Sequence, residues 1–179
     1  GVVENQDQTV HPRVVMLNKQ SAWVPAIDPL HFDKPVAGVG LGKTFAQIVA
    51  DANPEITVGL IPCAVGGSPI TTWQPGAFYP ATKSHPWDDA IKRTTNALES
   101  GTLQGILWHQ GESDSGDLQN ANAYEKRLHE LIVRFRNELN APEVPLIAGQ
   151  LGQFAEVPWT EGRTIVNAAH QSLPSKIPH

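Results

Sequence analysis

Leu103-Gln104-Gly105-Ile106-Leu107 runs directly into Trp108-His109-Gln110-Gly111-Glu112-Ser113-Asp114, and the fold turns on how this stretch is read. The first five residues are a short, mostly apolar run of the kind that forms a buried strand. Ser115-Gly116-Asp117 has loop composition, and a long helical pattern follows it. Gln110 and Glu112 therefore stand where a strand ends and a loop opens. In open α/β sheets that carboxyl edge is where ligands bind. Two readings of the polar cluster stay open at this point: it satisfies loop backbone N–H groups, or it belongs to an active site.

Working outward, the same alternation repeats. Arg13-Val14-Val15-Met16-Leu17 is a strand candidate, followed by residues 18–38, which carry Pro25, Pro29 and Pro35 and read as one long loop. Leu41, Phe45, Ile48, Val49 and Ala52 fall at helical spacing, and Asn53-Pro54 stops that helix. Ile56 to Ile61 is a second buried strand that ends at Pro62-Cys63-Ala64-Val65-Gly66-Gly67-Ser68. Trp87, Ile91, Thr94 and Leu98 mark another helix, closed by Ser100-Gly101. Tyr124, Leu128, Leu131, Ile132, Phe135 and Leu139 form the clearest amphipathic stripe in the chain. Val144 to Ala148 is the fourth strand and Thr164 to Leu173 the last helix. Strands alternating with helices imply an α/β fold with a parallel sheet covered on both faces. With no repeat and no linker, residues 1–179 read as a single domain.

Composition narrows the function classes. A chain of 179 residues with 40% hydrophobic and 17% charged residues is globular rather than disordered or fibrous. Its net charge of −5, with no basic run, argues against nucleic acid or an anionic membrane surface as partner. No apolar run reaches membrane-spanning length. The single cysteine, Cys63, excludes an internal disulfide framework and leaves the compartment open. The start at Gly1, with neither Met nor a signal-peptide pattern, reads as a processed chain or a piece of a longer one.

Four motifs bear on chemistry. Ala37-Gly38-Val39-Gly40-Leu41-Gly42-Lys43-Thr44 formally fits a phosphate-binding loop. That motif needs a feeding strand, and Leu30-His31-Phe32-Asp33-Lys34-Pro35 is none, so it reads as a glycine-rich helix entry. Gly66-Gly67-Ser68-Pro69-Ile70 invites a nucleophile-elbow reading for Ser68. Ile70 stands where the second glycine belongs, however, and Pro69 has no N–H to offer an oxyanion. Gly67 is better placed as a backbone donor, and Gln110 carries a side-chain amide after the next strand. Should both loops open on one edge, these two groups form the electrostatic half of an acyl-transfer site. Trp73 after Thr71-Thr72 has the chemistry to stack on a sugar face, though its first reading is a packed core tryptophan. The scattered histidines, His129 and His170 among them, show no metal-ligand spacing, so no metal or cofactor is expected.

These residues carry a family likeness. Gly38-Val39-Gly40 with Phe45-Ala46, Ile61 to Gly67, and Trp108 to Asp114 resemble, in order and spacing, the SGNH-hydrolase superfamily. The match is to its sialate O-acetylesterase-like group and to carbohydrate esterase family six, whose members include acetylxylan esterases. Pro29-Leu30-His31 and Val166 to Leu173 fit the same pattern, so the likeness covers nearly the whole chain. It implies a three-layer α/β/α sandwich of flavodoxin-like type and hydrolysis of acetyl esters on sugars. By the same analogy Gly67 and Gln110 line an oxyanion hole, and Glu112 and His109 support it.

The family's nucleophile is the serine of a G-Q-S-N block, and its histidine follows an aspartate by three residues. Neither block occurs in residues 1–179, and His179 has Lys176 three positions before it. The likeness therefore implies an esterase lacking here its first strand and its C-terminal catalytic segment. Placing that first strand between Val14–Leu17 and Ile56–Ile61 predicts an open slot between those two, or another segment filling it. It also predicts no Ser–His pair beside Gly67 and Gln110. The leading expectation is a carbohydrate O-acetylesterase whose Ser, Asp and His lie outside these residues. A carbohydrate-binding relative without catalysis is second, and a nucleotide-binding protein using Gly42-Lys43-Thr44 is last.

Overall fold

A computed structural model describes residues 2–178. The fold is mixed α/β, with five short strands and five α-helices among the described residues. Its residues group into two compact units. The first comprises residues up to Gly66 with Pro80–Thr82 and Asp89–Gly101, and the second comprises Gly67–Tyr79, Lys83–Asp88 and Thr102 onward.

In the first unit, β1 (Val14–Leu17) pairs antiparallel with β2 (Trp23–Pro25) and parallel with β3 (Val58–Leu60). The stretch expected to be one long loop thus contains an edge strand. Pro25 is tolerated there because the outer side of an edge strand needs no N–H for a ladder bond. The antiparallel pair also makes this sheet mixed rather than wholly parallel.

The slot expected beside β1 does not exist. Val14, Val15 and Met16 are partnered directly by Val58, Gly59 and Leu60, so their facing backbone groups are already satisfied and no strand lies between them. Helix α1 (Leu41–Ala52) covers this sheet. Its Ala46 and Ala50 pack with Val14, Met16, Ala26 and Leu30, and the half-buried Val24, Val58 and Leu60 extend the cluster. Arg93, in helix α2 (Pro86–Ala97), ties strand ends together by donating to the carbonyls of Leu17 at 2.6 Å, Asn18 at 3.1 Å and Pro62 at 3.1 Å.

In the second unit, β4 (Ile106–Trp108) and β5 (Leu146–Ala148) pair in parallel. Helix α3 (Glu112–Ser115) is a single turn, α4 spans Leu118–Glu138, and α5 spans Glu161–Lys176. Asp117 caps α4 by accepting from the Asn120 N–H at 2.9 Å. The apolar stripe of α4 is buried as its spacing predicts: Tyr124, Leu128, Leu131, Ile132 and Phe135 all face inward. Val166, Ala169, His170 and Leu173 of α5 are buried too. Trp87 packs on Phe135 with ring centroids 4.7 Å apart, and the Arg134 guanidinium lies 5.3 Å from the Trp87 ring. Helix α5 runs through Pro174, where the spacing had ended it, because a proline in the last turn forfeits only one helical bond. Among the described residues, no helix is long and apolar enough to cross a membrane.

Candidate active site

The stretch that opens the sequence reading becomes a corner. β4 ends at Trp108, and the chain turns through Gly111 into α3. Gly111 has φ 146°, a conformation that favours glycine. A Cβ at this position would stand 2.6 Å from Val166 Cγ1 and 3.3 Å from Leu151 Cδ2. The turn is therefore pressed against α5 with no room for a side chain.

This corner is stitched to the segment Gly67–Ile70. Ser113 Oγ donates to the Gly67 carbonyl at 2.6 Å, and Tyr79 Oη donates to the same oxygen at 2.9 Å. Gln110 Nε2 donates to the Ser68 carbonyl at 3.1 Å. Asp114 is 1% exposed, and its Oδ2 accepts from the Ile70 N–H at 2.9 Å and from Gln110 Nε2 at 2.7 Å. The two expected loops thus meet. Gly67 has φ 77°, lies exposed, and its N–H donates to no group among the described residues.

Gln110 is held from behind as well. Tyr124 Oη lies 2.9 Å from the Gln110 carbonyl oxygen, 3.0 Å from its Oε1 and 3.0 Å from His170 Nε2. His170 Nδ1 is buried without a partner among the described residues. An orphaned lone pair is better tolerated than an orphaned N–H, so the ring proton belongs on Nε2 and donates to the phenol oxygen. The phenol proton then goes to Gln110, and the Gln110 amide goes on to Asp114 and Ser68. Burial, helped by nearby His109 and opposed by Glu112, pushes His170 down to about 4, so the ring is neutral at neutral pH. Burial raises the Tyr124 phenol above its ordinary range despite the Trp108 N–H, and Asp114 and Glu112 push the same way. Every member of the chain behind Gln110 is thus a neutral donor with a fixed direction, ending on one carboxylate.

The other expected residues lie as follows. His109 is exposed with its ring against Gly149, where a Cβ would come within 3.0 Å of His109 Cδ2. Glu112 is exposed at the start of α3, and its carboxylate holds no hydrogen bond among the described residues. Trp73 is only 5% exposed, donates to Ser68 Oγ at 3.0 Å, and meets Trp108 edge-on with centroids 5.1 Å apart. Its ring and its N–H are both engaged in packing, the setting of a core tryptophan. Ser68 is 2% exposed, and its hydroxyl accepts that tryptophan N–H, a setting unlike that of an exposed nucleophile.

Lys43, the lysine of the formal phosphate motif, is buried in α1 and donates to the Asp7 carbonyl. Residues 26–40 contain no strand to feed such a loop. No group of three or more His, Cys, Asp or Glu able to hold a metal occurs among the described residues.

Sequence comparison places the chain in a family. The profile of the family described as carbohydrate esterase, sialic acid-specific acetylesterase, matches residues 1–179. The chain belongs to this family. Among curated proteins, this carbohydrate esterase family member is 35% identical over 140 residues to the probable carbohydrate esterase At4g34215 of Arabidopsis thaliana. That match covers 75% of the chain and 51% of the relative, so the chain spans about half the length of the curated protein it matches. The 1.6 Å X-ray structure of the Arabidopsis thaliana protein of the same designation matches with a TM-score of 0.82 at 29% identity. It covers 98% of this chain and 69% of that one.

Three residues of this corner carry little sequence signal. Asp114 sat in the quoted motif, but its bond to Ile70 spans 44 positions and has no local signature. In sequence, Tyr124 is one more position of its stripe and His170 one of the scattered histidines. The available signal was a phenol at an otherwise aliphatic core position, since a buried tyrosine hydroxyl ordinarily has a polar partner.

Proposed function

We propose that the complete protein is a carbohydrate O-acetylesterase and that the corner built from Gly67–Ile70 and Gln110–Asp114 is the electrostatic half of its acyl-transfer site. The observation that carries this is the Gly67 N–H, which has no acceptor among the described residues and is presented on a left-handed glycine whose carbonyl is clamped by Ser113 and Tyr79. The family match over the whole chain supports the ester chemistry. In this reading residues 1–179 form part of one domain, a three-layer α/β/α sandwich with a flavodoxin-like sheet. The serine nucleophile and the Asp–His pair come from polypeptide outside these residues.

The serine hydroxyl attacks the acetyl carbonyl carbon while the histidine takes its proton, and negative charge gathers on the carbonyl oxygen. Gly67 N–H donates to that oxygen. Both Gln110 amide hydrogens are engaged, so Gln110 joins by exchanging its longer bond, the one to the Ser68 carbonyl, for the oxyanion. The sugar alkoxide leaves with the histidine's proton, and water, activated by the same histidine, releases acetate from the acetyl-serine. His109 and Glu112 border the site in a supporting role.

The full-length protein should release acetate from 4-nitrophenyl acetate and from an O-acetylated sugar, with acetylated xylan and O-acetylated sialic acid as the substrates to compare. A polypeptide limited to residues 1–179 should do neither. Failure of the full-length protein on all of these esters, with retained binding to the sugars, would favour a non-catalytic carbohydrate-binding relative instead.

A further inference from the structure

Gly66 is gripped at both ends by two consecutive side chains from the loop before α1. Asp33 Oδ2 accepts the Gly66 N–H at 2.7 Å, and the Lys34 ammonium donates to the Gly66 carbonyl oxygen. A Cβ on Gly66 would lie 3.4 Å from Asp33 Oδ2 and 3.5 Å from Lys34 Nζ, so both groups close on the bare face of the glycine. The loop that carries them is itself fastened. Phe32 lies under the Arg93 guanidinium at 4.8 Å, and the same Arg93 holds the Pro62 carbonyl at 3.1 Å.

The chemistry follows from what a peptide group is. The Gly66 carbonyl and the Gly67 N–H are opposite ends of one planar trans unit. Whatever fixes the oxygen also aims the N–H. A cation on the oxygen also draws electron density out of the amide, and a polarised amide is a stronger donor. Asp33 acts on the preceding peptide, so two successive planes are held on either side of the Gly66 α-carbon. A glycine without such a hold samples a wide range of conformations, at an entropic cost when the charge develops.

We propose that Lys34, with Asp33, is a positioning residue that aims and polarises the Gly67 N–H. The proposal rests on the esterase reading given above, in which that N–H meets the developing oxyanion. Lys34 touches no reacting atom. It works through one peptide unit, and its effect belongs on the transition state, where charge appears, rather than on the ground-state ester.

The test uses the full-length enzyme with Lys34→Met, Lys34→Arg and Asp33→Asn. Steady-state kinetics on 4-nitrophenyl acetate are measured alongside the amide proton resonance of 15N-labelled Gly67. Weakening a donor should cost less than deleting one, so Lys34→Met should lower kcat roughly tenfold with KM within about twofold. The Gly67 amide proton should move upfield in Lys34→Met, and Lys34→Arg should restore most of both effects. Asp33→Asn, which keeps an oxygen acceptor, should show a smaller loss of the same kind. An unchanged kcat together with an unmoved Gly67 resonance in Lys34→Met overturns the proposal. An inactive parent enzyme counts against the esterase reading instead, and the Gly67 resonance then still decides whether Lys34 polarises the peptide.

Discussion

Tyr124 and His170, 46 residues apart in sequence, meet through the phenol oxygen and Nε2 at 3.0 Å, with both side chains buried. Their rings stand edge to face, 5.4 Å between centroids and 85° between planes. The pair joins α4 to α5 by polar contact in the middle of an apolar interface, and it does so directly behind Gln110. Tyr124→Phe would leave the His170 N–H and a Gln110 oxygen without partners in a buried setting. The expected cost is about 1–3 kcal/mol of unfolding free energy, with the loss in kcat exceeding any change in KM. Urea denaturation and steady-state kinetics on the full-length protein check the two parts separately.

The low pKa of His170 predicts an acid-sensitive fold. Folded, the ring stays neutral down to about 4, whereas in the unfolded chain it protonates near the ordinary imidazole value of 6.5. Between those two values the unfolded state binds the extra proton, so stability present above 6.5 is lost as pH falls toward 4. Burial lowers His31 as well, against the pull of Asp33 and Asp28, and adds in the same direction. Midpoints of thermal unfolding between pH 7 and 4.5 should therefore fall with acidification. His170→Gln, which keeps an N–H for the phenol and cannot titrate, should flatten that fall; an equally steep decline in the variant would place the titration elsewhere.

Gly111 is the least replaceable position in the corner. Gly111→Ala must accept an unfavourable φ and push Val166 away, so the loss should reach about 3 kcal/mol or more. Glu112→Gln, at an exposed neighbour, should leave stability within about 0.5 kcal/mol. Comparing chemical denaturation of the two variants measures the contrast.

The glycine-rich entry to α1 should not bind nucleotide, because Lys43 is buried and already bonded to the Asp7 carbonyl. Isothermal calorimetry with ATP and Mg²⁺ should show no saturable heat. Micromolar binding that disappears in Lys43→Ala would reverse this reading.

Much of the architecture was legible because it rests on periodicity. α4 announces itself through apolar residues three and four apart, and the structure buries Tyr124, Leu128 and Leu131 accordingly. In α1 the spacing marks the helix but not its buried face: Leu41, Phe45 and Ile48 lie exposed, and the small Ala46 and Ala50 pack against the sheet instead. β2 was not legible: Trp23-Val24-Pro25 is too short to show alternation, and its proline argued for a loop. Strand neighbours were read wrongly for a deeper reason. Nothing in Val14-Val15-Met16 names Val58-Gly59-Leu60 as its partner, since pairing follows from register and burial across the whole sheet. At the site, Gly67 and Gln110 stood out because each follows a strand. Asp114, Tyr124 and His170 did not, because their roles exist only through contacts many residues distant.

The central claim is that the corner holding Gly67 and Gln110 stabilises charge in ester cleavage. The most direct measurement is kcat and KM of the full-length enzyme and of Gln110→Ala on an O-acetylated sugar, with acetate release as the readout. The account predicts that Gln110→Ala lowers kcat roughly 10²-fold and leaves KM within a few-fold, the pattern of a donor lost from the transition state. A variant that folds and turns over at the parent rate would contradict it.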